Sequence, residues 1–169
     1  TAVGYNSLYT NTAGTYNTAL GMSTLFSNTT GQYNVAVGHN AMYNNSIGGY
    51  NVAVGFGALF TNTTGSNNTA VGRETLYYAT GISNSVAVGY RALYNNTTGD
   101  YNTAIGNLAL SATTTGTGNA ALGYAAMNLN TAGTNNTAVG SVALQSNVSG
   151  TNNSAFGRAA LGNTTGSYN

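Results

Sequence analysis

The chain has 169 residues and a formal net charge of +1, and only 3% of its residues are charged, against about 25% in an ordinary soluble domain. It contains no cysteine, proline, tryptophan or lysine, which excludes disulfides, thiolate metal sites and lysine-dependent phosphate loops. Three dispersed arginines do not predict nucleic-acid binding, and no apolar run approaches the roughly 18 residues of a membrane span, so membrane insertion is not expected.

A 17-residue repeat runs through the whole sequence. The glycine of an Ala-x-Gly motif recurs every 17 residues from Gly4 to Gly157. We number the units in chain order, and we call residues at the same place in successive units a column, counted from Thr1. The units begin at residues 1, 18, 35, 52, 69, 86, 103, 120, 137 and 154. We expect one repeat domain, residues 1–169, that is uncapped at both ends.

Each unit is too short for a pair of helices, which takes about 33–47 residues, and its glycines, asparagines and threonines disfavour a helix. Short β-prone pieces between Gly and Asn corners predict an all-β fold, a parallel β-solenoid of ten 17-residue coils. In chain order, each coil is expected to hold a strand at "TAV", a second at "ALY" and a third piece near "NTT". Successive coils would pair at about 4.8 Å and form a rod about 48 Å long.

Four columns are nearly invariant in residue type. Column 2 is always Ala and column 4 always Gly, while column 3 is Val, Leu, Ile or Phe and column 8 is Leu or Met. We expect columns 3 and 8 to fill the coil and columns 2 and 4 to face the opposite way. The small size of columns 2 and 4 predicts that another backbone approaches closely there. An alternative explains the same residues: the glycine only forms a turn, and the alanine has no specific role. The structural residues so assigned in the first six units are Ala2, Gly4, Leu8, Ala19, Gly21, Leu25, Ala36, Gly38, Gly55, Leu59, Gly72, Leu76, Gly89 and Leu93.

Three further columns carry specific expectations. Column 17 is asparagine except at Ser85, and residues such as Asn51 and Asn68 are expected to stack in amide ladders, or simply to tolerate turn conformations. Column 9 is aromatic in units 1 to 6 and predicts an aromatic ladder. The glycines of column 14 are predicted to be turn residues with positive φ, and a local bulge is expected where Ile82 replaces them.

The charged side chains and the single histidine do not predict a catalytic site. They lie in columns 5, 6 and 15, which we interpret as solvated corners: His39, Arg73, Glu74, Arg91, Asp100 and Arg158. General acid–base catalysis needs two matched groups within reach, and nucleophilic catalysis needs a base beside the nucleophile. We therefore expect no enzymatic activity, no cofactor and no metal site.

The Asn-Thr-Thr corners are candidate glycan sites, provided that a glycosylating cell makes the chain. The sequence contains ten Asn-x-Ser/Thr sequons, although a chain so rich in Asn and Thr would carry about six by chance. The candidates taken from these corners are Asn28, Asn62, Asn96 and Asn163.

The pattern "NTAVGxxAL…NTTGxxN", present with variations in all ten units, resembles the head repeats of trimeric autotransporter adhesins and related phage tail-fibre shafts. The resemblance implies a left-handed parallel β-roll in a trimer. It also implies an extracellular rod at a cell or virion surface, used for attachment or as a spacer. The 17-residue unit and the tyrosine column depart from those heads.

Three functions fit these features. The favoured one is a structural fibre or filament subunit that self-associates as a lateral trimer, by end-to-end stacking of open solenoid ends, or both. Two buried aliphatic side chains per coil make a thin core, and packing a uniformly small face on other chains would stabilise it. The alternatives are an adhesive head that binds surface glycans and an ice-binding solenoid that uses threonine pairs such as Thr29–Thr30.

Overall fold

The structure, a computed structural model, describes all 169 residues and contains ten strands in a single parallel sheet. Strands that follow one another in the chain are neighbours in the sheet, in a register that sets Ala19 beside Ala36 and Ala36 beside Ala53. The expected parallel β-solenoid is confirmed, and the chain has no helix that could cross a membrane. The strands are β1 (Ala2–Val3), β2 (Thr18–Leu20), β3 (Val35–Val37), β4 (Val52–Val54), β5 (Thr69–Val71), β6 (Val86–Val88), β7 (Thr103–Ile105), β8 (Ala120–Leu122), β9 (Thr137–Val139) and β10 (Ser154–Phe156).

Each coil contains one strand, not the two or three that we expected. The "ALY" and "NTT" segments form turns and bends, yet their backbones still bond to the next coil. The N–H of Leu25 donates to the carbonyl of Ala41 at 3.1 Å, and the N–H of Thr29 donates to the carbonyl of Ser46 at 2.9 Å. A strand cannot form at "ALY" because column 8 lies in the left-handed region, with φ of 50° at Leu25.

Column 8 fills the coil as predicted, but column 3 does not. Leu59 and the column 2 residue Ala53 are fully buried, whereas Leu20 in column 3 is 48% exposed. The strand therefore points its alanine inward and its larger side chains outward. The small face that we expected to pack on other chains lies inside the coil. The buried members of the assigned columns include Ala19, Leu25, Ala36, Leu59, Leu76 and Leu93.

The close approach predicted at column 4 is confirmed, and the approaching backbone belongs to the next coil of the same chain. A Cβ added to Gly38 would lie 2.8 Å from the carbonyl oxygen of Gly55. The backbone of Gly38 also has a φ of +119°, which side chains rarely tolerate. Column 4 therefore requires glycine for two separate reasons.

Column 14 requires glycine for a different reason from the one predicted. Its glycines do not have a positive φ, and that conformation belongs to column 16, where φ is 58° at Tyr33 and 59° at Tyr50. A Cβ on Gly48 would lie 2.6 Å from the Oδ1 atom of Asn45 in column 11 of the same coil. Glycine is needed there because the carbonyl oxygen of Gly65 in the next coil and the asparagine side chain both occupy the space.

No bulge forms at Ile82, since residues 69–85 follow the same sequence of strand, turns and bends as the preceding coil. The coil adapts by a second replacement, because Ala79 stands where most coils have the column 11 asparagine. Both Ala79 and Ile82 are buried, so the missing amide leaves room for the larger side chain. The exchange has a cost, because the buried Oδ1 of Asn62 has no hydrogen-bond partner.

Candidate functional site

Two columns of asparagine form hydrogen-bonded ladders inside the rod. In column 17, which includes Asn51 and Asn68, the backbone N–H of Asn51 donates to Oδ1 of Asn34 at 3.0 Å. In column 11, the Nδ2 of Asn45 donates to Oδ1 of Asn28 at 2.8 Å. Stacking of column 17 is thus confirmed, and the column 11 ladder is one that we did not predict. Buried amides need such partners, so both ladders hold the coils together.

Three of the four candidate glycan sites lie in column 11. Asn28, Asn62 and Asn96 are fully buried, and the Nδ2 of each donates to the carbonyl of the residue three positions ahead. A glycan on that nitrogen is incompatible with the coil, so the expectation was wrong for these three residues. Asn163 is exposed, and its glycosylation stays a prediction. Exposed sequon asparagines occur instead in column 16, at Asn67, Asn135 and Asn152.

The predicted aromatic ladder of column 9 is confirmed. Its six rings, from Tyr9 to Tyr94, stack with centroids 4.9 to 5.5 Å apart. A second ladder, which we did not predict, stacks Tyr16, Tyr33 and Tyr50 of column 16 at 4.8 and 4.9 Å. Because each ring covers the face of the next, these ladders present ring edges and hydroxyls to the solvent.

One ion-pair network joins coils 5 and 6. The Nη2 of Arg73 lies 3.0 Å from Oε1 of Glu74, and the Nε of Arg91 lies 2.6 Å from its Oε2. Glu74 is only 8% exposed, so the solvated-corner interpretation is wrong for this residue. The hydrogen bond from Arg91 lowers the pKa of the Glu74 carboxyl, burial opposes this effect, and the bond from Arg73 reinforces it.

Aromatic rings support this network, since the Arg91 guanidinium lies 4.7 Å from the ring centre of Tyr94 and 5.2 Å from that of Tyr90. Such contacts stabilise a cation through the ring quadrupole. Other ionisable side chains that we predicted at the corners do not join this network. His39 stacks on Phe56, and Asp100 accepts a hydrogen bond from the backbone of Ser83.

The chain brings together no group of three metal-binding side chains and encloses no pocket. Arg158, the remaining charged corner, is exposed in coil 10.

The largest unpartnered feature is the outward side of the sheet. We call the residues of columns 1 and 3 on β1 to β10 the outer strand face. Column 3 contributes only Val, Leu, Ile and Phe, with Val3 56%, Leu122 47% and Phe156 70% exposed. In column 1, five residues are threonine and one is serine, so the apolar part of this face is mainly the row of column 3 side chains.

The sequence contains a signal for this outward orientation, which our expectation for column 3 did not use. Column 2 is alanine in every unit, whereas column 3 varies in size from Val to Phe. A close-packed interior tolerates little variation in volume, so the constant column belongs inside and the variable column outside.

Comparisons of the chain with protein-family models, with curated proteins and with solved structures find no match. The resemblance to adhesin heads and tail-fibre shafts therefore stays a prediction, as do the trimer and the left-handed coil. The β-solenoid itself follows from the strand pairing alone.

Proposed function

We propose that the chain is a structural segment of an extracellular fibre or filament, in which rods associate side by side through the outer strand face. The proposal is carried by one observation: a row of apolar column 3 side chains runs along the whole sheet beside the threonines and valines of column 1, and no other part of the chain packs over it. Ten coils at about 4.8 Å, about 10 Å wide, give about 480 Å² per chain. A patch of this size is typical of functional surface on a monomer.

The bordering columns would bring the contact up to the size of a stable interface. A standard interface takes about 800 Å² from each partner, which is more than columns 1 and 3 offer. Exposed apolar side chains continue on both sides of the outer strand face, such as Tyr5 and Phe56 in column 5 and Tyr16 in column 16. Burial of this surface would add to the thin core of each coil.

The rod itself suits a mechanical or spacing role. Its coils are joined by backbone hydrogen bonds along the full length, and by the asparagine and aromatic ladders described above. Each coil repeats the contacts of the one before, so the stiffness does not depend on a single core. The proposal assigns no catalytic role and no cofactor.

An adhesive role is the second candidate, and the rows of tyrosine edges favour it. Tyr16, Tyr33 and Tyr50 are exposed, and tyrosine side chains suit adaptable recognition of glycans or protein surfaces. Binding to a panel of immobilised glycans would test this role independently of self-association.

Ice binding at the threonine corners receives less support. The hydroxyl of Thr29 donates to the carbonyl of Ser46 at 3.1 Å, and that of Thr63 donates to the carbonyl of Thr80 at 2.7 Å. These hydroxyls already have partners within the rod, and the neighbouring column is interrupted by Ile47.

The outer strand face can be tested with two matched leucines of one coil. Leu122 and Leu129 are both 47% exposed, but only Leu122 lies on the outer strand face. We expect the unmodified chain to associate in sedimentation equilibrium, Leu122→Lys to dissociate it, and Leu129→Lys to leave it associated. Far-ultraviolet circular dichroism would check that both variants fold. A chain that stays monomeric, or equal dissociation of both variants, would refute the proposal.

A further inference from the structure

Three tyrosines of column 16 stand at a turn that disfavours their side chain. The φ angle there lies in the left-handed region, at 58° in Tyr16 and Tyr33 and 59° in Tyr50, and bulky residues rarely adopt it. Their rings gain little from burial, since they are 74%, 43% and 57% exposed. Most later coils have the residues that such a turn prefers: Asn67, Asn84, Gly118, Asn135 and Asn152. Residues that contradict the local preference in this way are expected at functional sites.

The composition points to the chemistry that such tyrosines offer. The chain has 13 tyrosines but neither cysteine nor lysine, so disulfides and lysine isopeptide bonds cannot join its coils. A phenol that loses one electron and one proton becomes a phenoxyl radical, and two such radicals couple through their rings to form dityrosine.

We propose that Tyr16, Tyr33 and Tyr50 form an oxidative cross-linking site, at which tyrosines of adjacent coils are joined as dityrosine. Each coupling forms one carbon–carbon bond between ring carbons ortho to the hydroxyls, and one C–H bond of each ring is broken. The two electrons and two protons that are released reduce one hydrogen peroxide to two waters, through a one-electron oxidant of the haem peroxidase class. The product is a covalent clamp along coils 1 to 3, a role beyond that of the proposed fibre segment.

The geometry of the stack supports this reaction. The ring centroids of Tyr16 and Tyr33 are 4.8 Å apart and those of Tyr33 and Tyr50 are 4.9 Å apart, with interplanar angles of 11° and 12°. The centres of two directly bonded rings lie almost as far apart. Coupling therefore requires the rings to turn rather than to approach, and the terminal torsion of tyrosine is broad enough for exposed rings to do so.

The column 9 ladder lacks this arrangement over most of its length. Phe26 lies between Tyr9 and Tyr43, and Phe60 follows Tyr43. Phenylalanine has no hydroxyl and forms no phenoxyl radical, so these tyrosines have no partner in the adjacent coil. Column 9 therefore provides an internal comparison of stacked rings that cannot couple.

One other group of tyrosines is in contact, and it is a poorer substrate. Tyr77, Tyr78 and Tyr94 have ring centroids 5.0 to 5.5 Å apart. Tyr77 and Tyr94 are half-buried, and burial raises the pKa of both phenols. They hold more firmly the proton that oxidation removes, so we expect column 16 to react first.

The cross-link can be located by mass spectrometry, because trypsin cleaves this chain only after its three arginines, Arg73, Arg91 and Arg158. A dilute solution of the full chain would be treated with a haem peroxidase and hydrogen peroxide, then denatured and digested. We expect peptide 1–73, which contains the column 16 stack, to become lighter by two hydrogen atoms. A link from Tyr94 to Tyr77 or Tyr78 would instead join peptides 74–91 and 92–158.

Two tyrosine variants of the same peptide separate the stack from general oxidation. Tyr33→Phe keeps a stacked ring, as Phe26 does in column 9, but leaves Tyr16 and Tyr50 two coils apart. It should lose most of the lighter peptide 1–73, whereas Tyr43→Phe should leave its yield unchanged. Equal yields from the two variants would overturn the proposal, and so would dityrosine found only between separate chains on a denaturing gel.

Urea unfolding tests whether the link acts as a clamp. A cross-link that constrains the unfolded chain stabilises the folded state, so the oxidised unmodified chain should unfold at a higher urea concentration than oxidised Tyr33→Phe. Before oxidation, the two proteins should unfold together. Equal midpoints after oxidation would refute the clamp. None of these results depends on side-by-side association, because the coupled rings belong to one chain.

Discussion

Replacing Ala79 by Asn and Ile82 by Gly tests whether buried columns 11 and 14 act as a pair. Elsewhere, as at Asn45 and Gly48, a Cβ on the glycine would meet the asparagine oxygen. In coil 5, column 11 has the small residue Ala79 and column 14 has the large residue Ile82, and both side chains are buried. Each single substitution should therefore destabilise the chain, and the double substitution should restore the usual arrangement.

The expected magnitudes follow from packing. Ile82→Gly empties a buried site and should cost about 3–5 kcal/mol of the free energy of unfolding. Ala79→Asn forces an amide against Ile82 and should cost about 1–3 kcal/mol. In the double variant the new amide can donate to the unpartnered Oδ1 of Asn62, and such a bond returns about 1 kcal/mol. We therefore expect the double variant to lie within about 1.5 kcal/mol of the unmodified chain.

The assay is urea unfolding of the four proteins, followed by far-ultraviolet circular dichroism. The two single losses sum to at least about 4 kcal/mol, so the predicted coupling energy is at least about 2.5 kcal/mol. If the loss in the double variant equalled the sum of the single losses to within about 0.5 kcal/mol, the paired-column explanation would be wrong.

Two further predictions concern acid stability and column 4. Arg91 lowers the pKa of Glu74, so the ionised carboxylate stabilises the fold above the pKa of an unfolded glutamate, about 4.3, and this contribution is lost as pH falls through the lower folded value. The melting temperature should fall between about pH 5 and pH 2, and Glu74→Gln should reduce that fall, because Asp100 is the only other acidic side chain. If Glu74→Gln left the acid profile unchanged, the stabilising role given to the Glu74 carboxylate would be wrong. Gly38 and Gly157 have φ of +119° and +118°, but only Gly38 has a carbonyl, that of Gly55, against its Cβ position. Gly38→Ala should therefore cost about 1–3 kcal/mol more than Gly157→Ala in urea unfolding, and equal losses would show that φ alone matters.

Much of the architecture was predictable because the repeat constrains it. An unbroken period requires every coil to make the same contacts with its neighbours, which predicts stacking and the ladders of columns 9 and 17. The burial of column 8 was predictable because a large aliphatic side chain recurs there without exception. Leu59 and Leu76 both confirm it.

The candidate surface was harder to predict. The glycan expectation failed at Asn28 because a sequon records only the residue types, whereas that side chain is bonded to Asn11 and Asn45 of the coils on either side. The solvated-corner interpretation failed at Glu74 for a similar reason, since its partner Arg91 lies 17 residues further along the chain. Both errors concern contacts between coils, which the pattern within one unit does not describe.

The sequence by itself determined the period, the number of coils and the axial alignment of equivalent residues, because only stacking in register lets each unit meet identical neighbours. Which side of each strand faces inward does not follow from the period of two, because either set of side chains satisfies it. The constant size of column 2 indicates the answer, and the tertiary structure decides it. The turn at column 8, with φ near 50° at Leu25 and Leu59, directs leucine into a narrow interior. That interior leaves room opposite for the methyl group of Ala53, so the larger Val54 is directed outward, onto the surface proposed here to bind another copy.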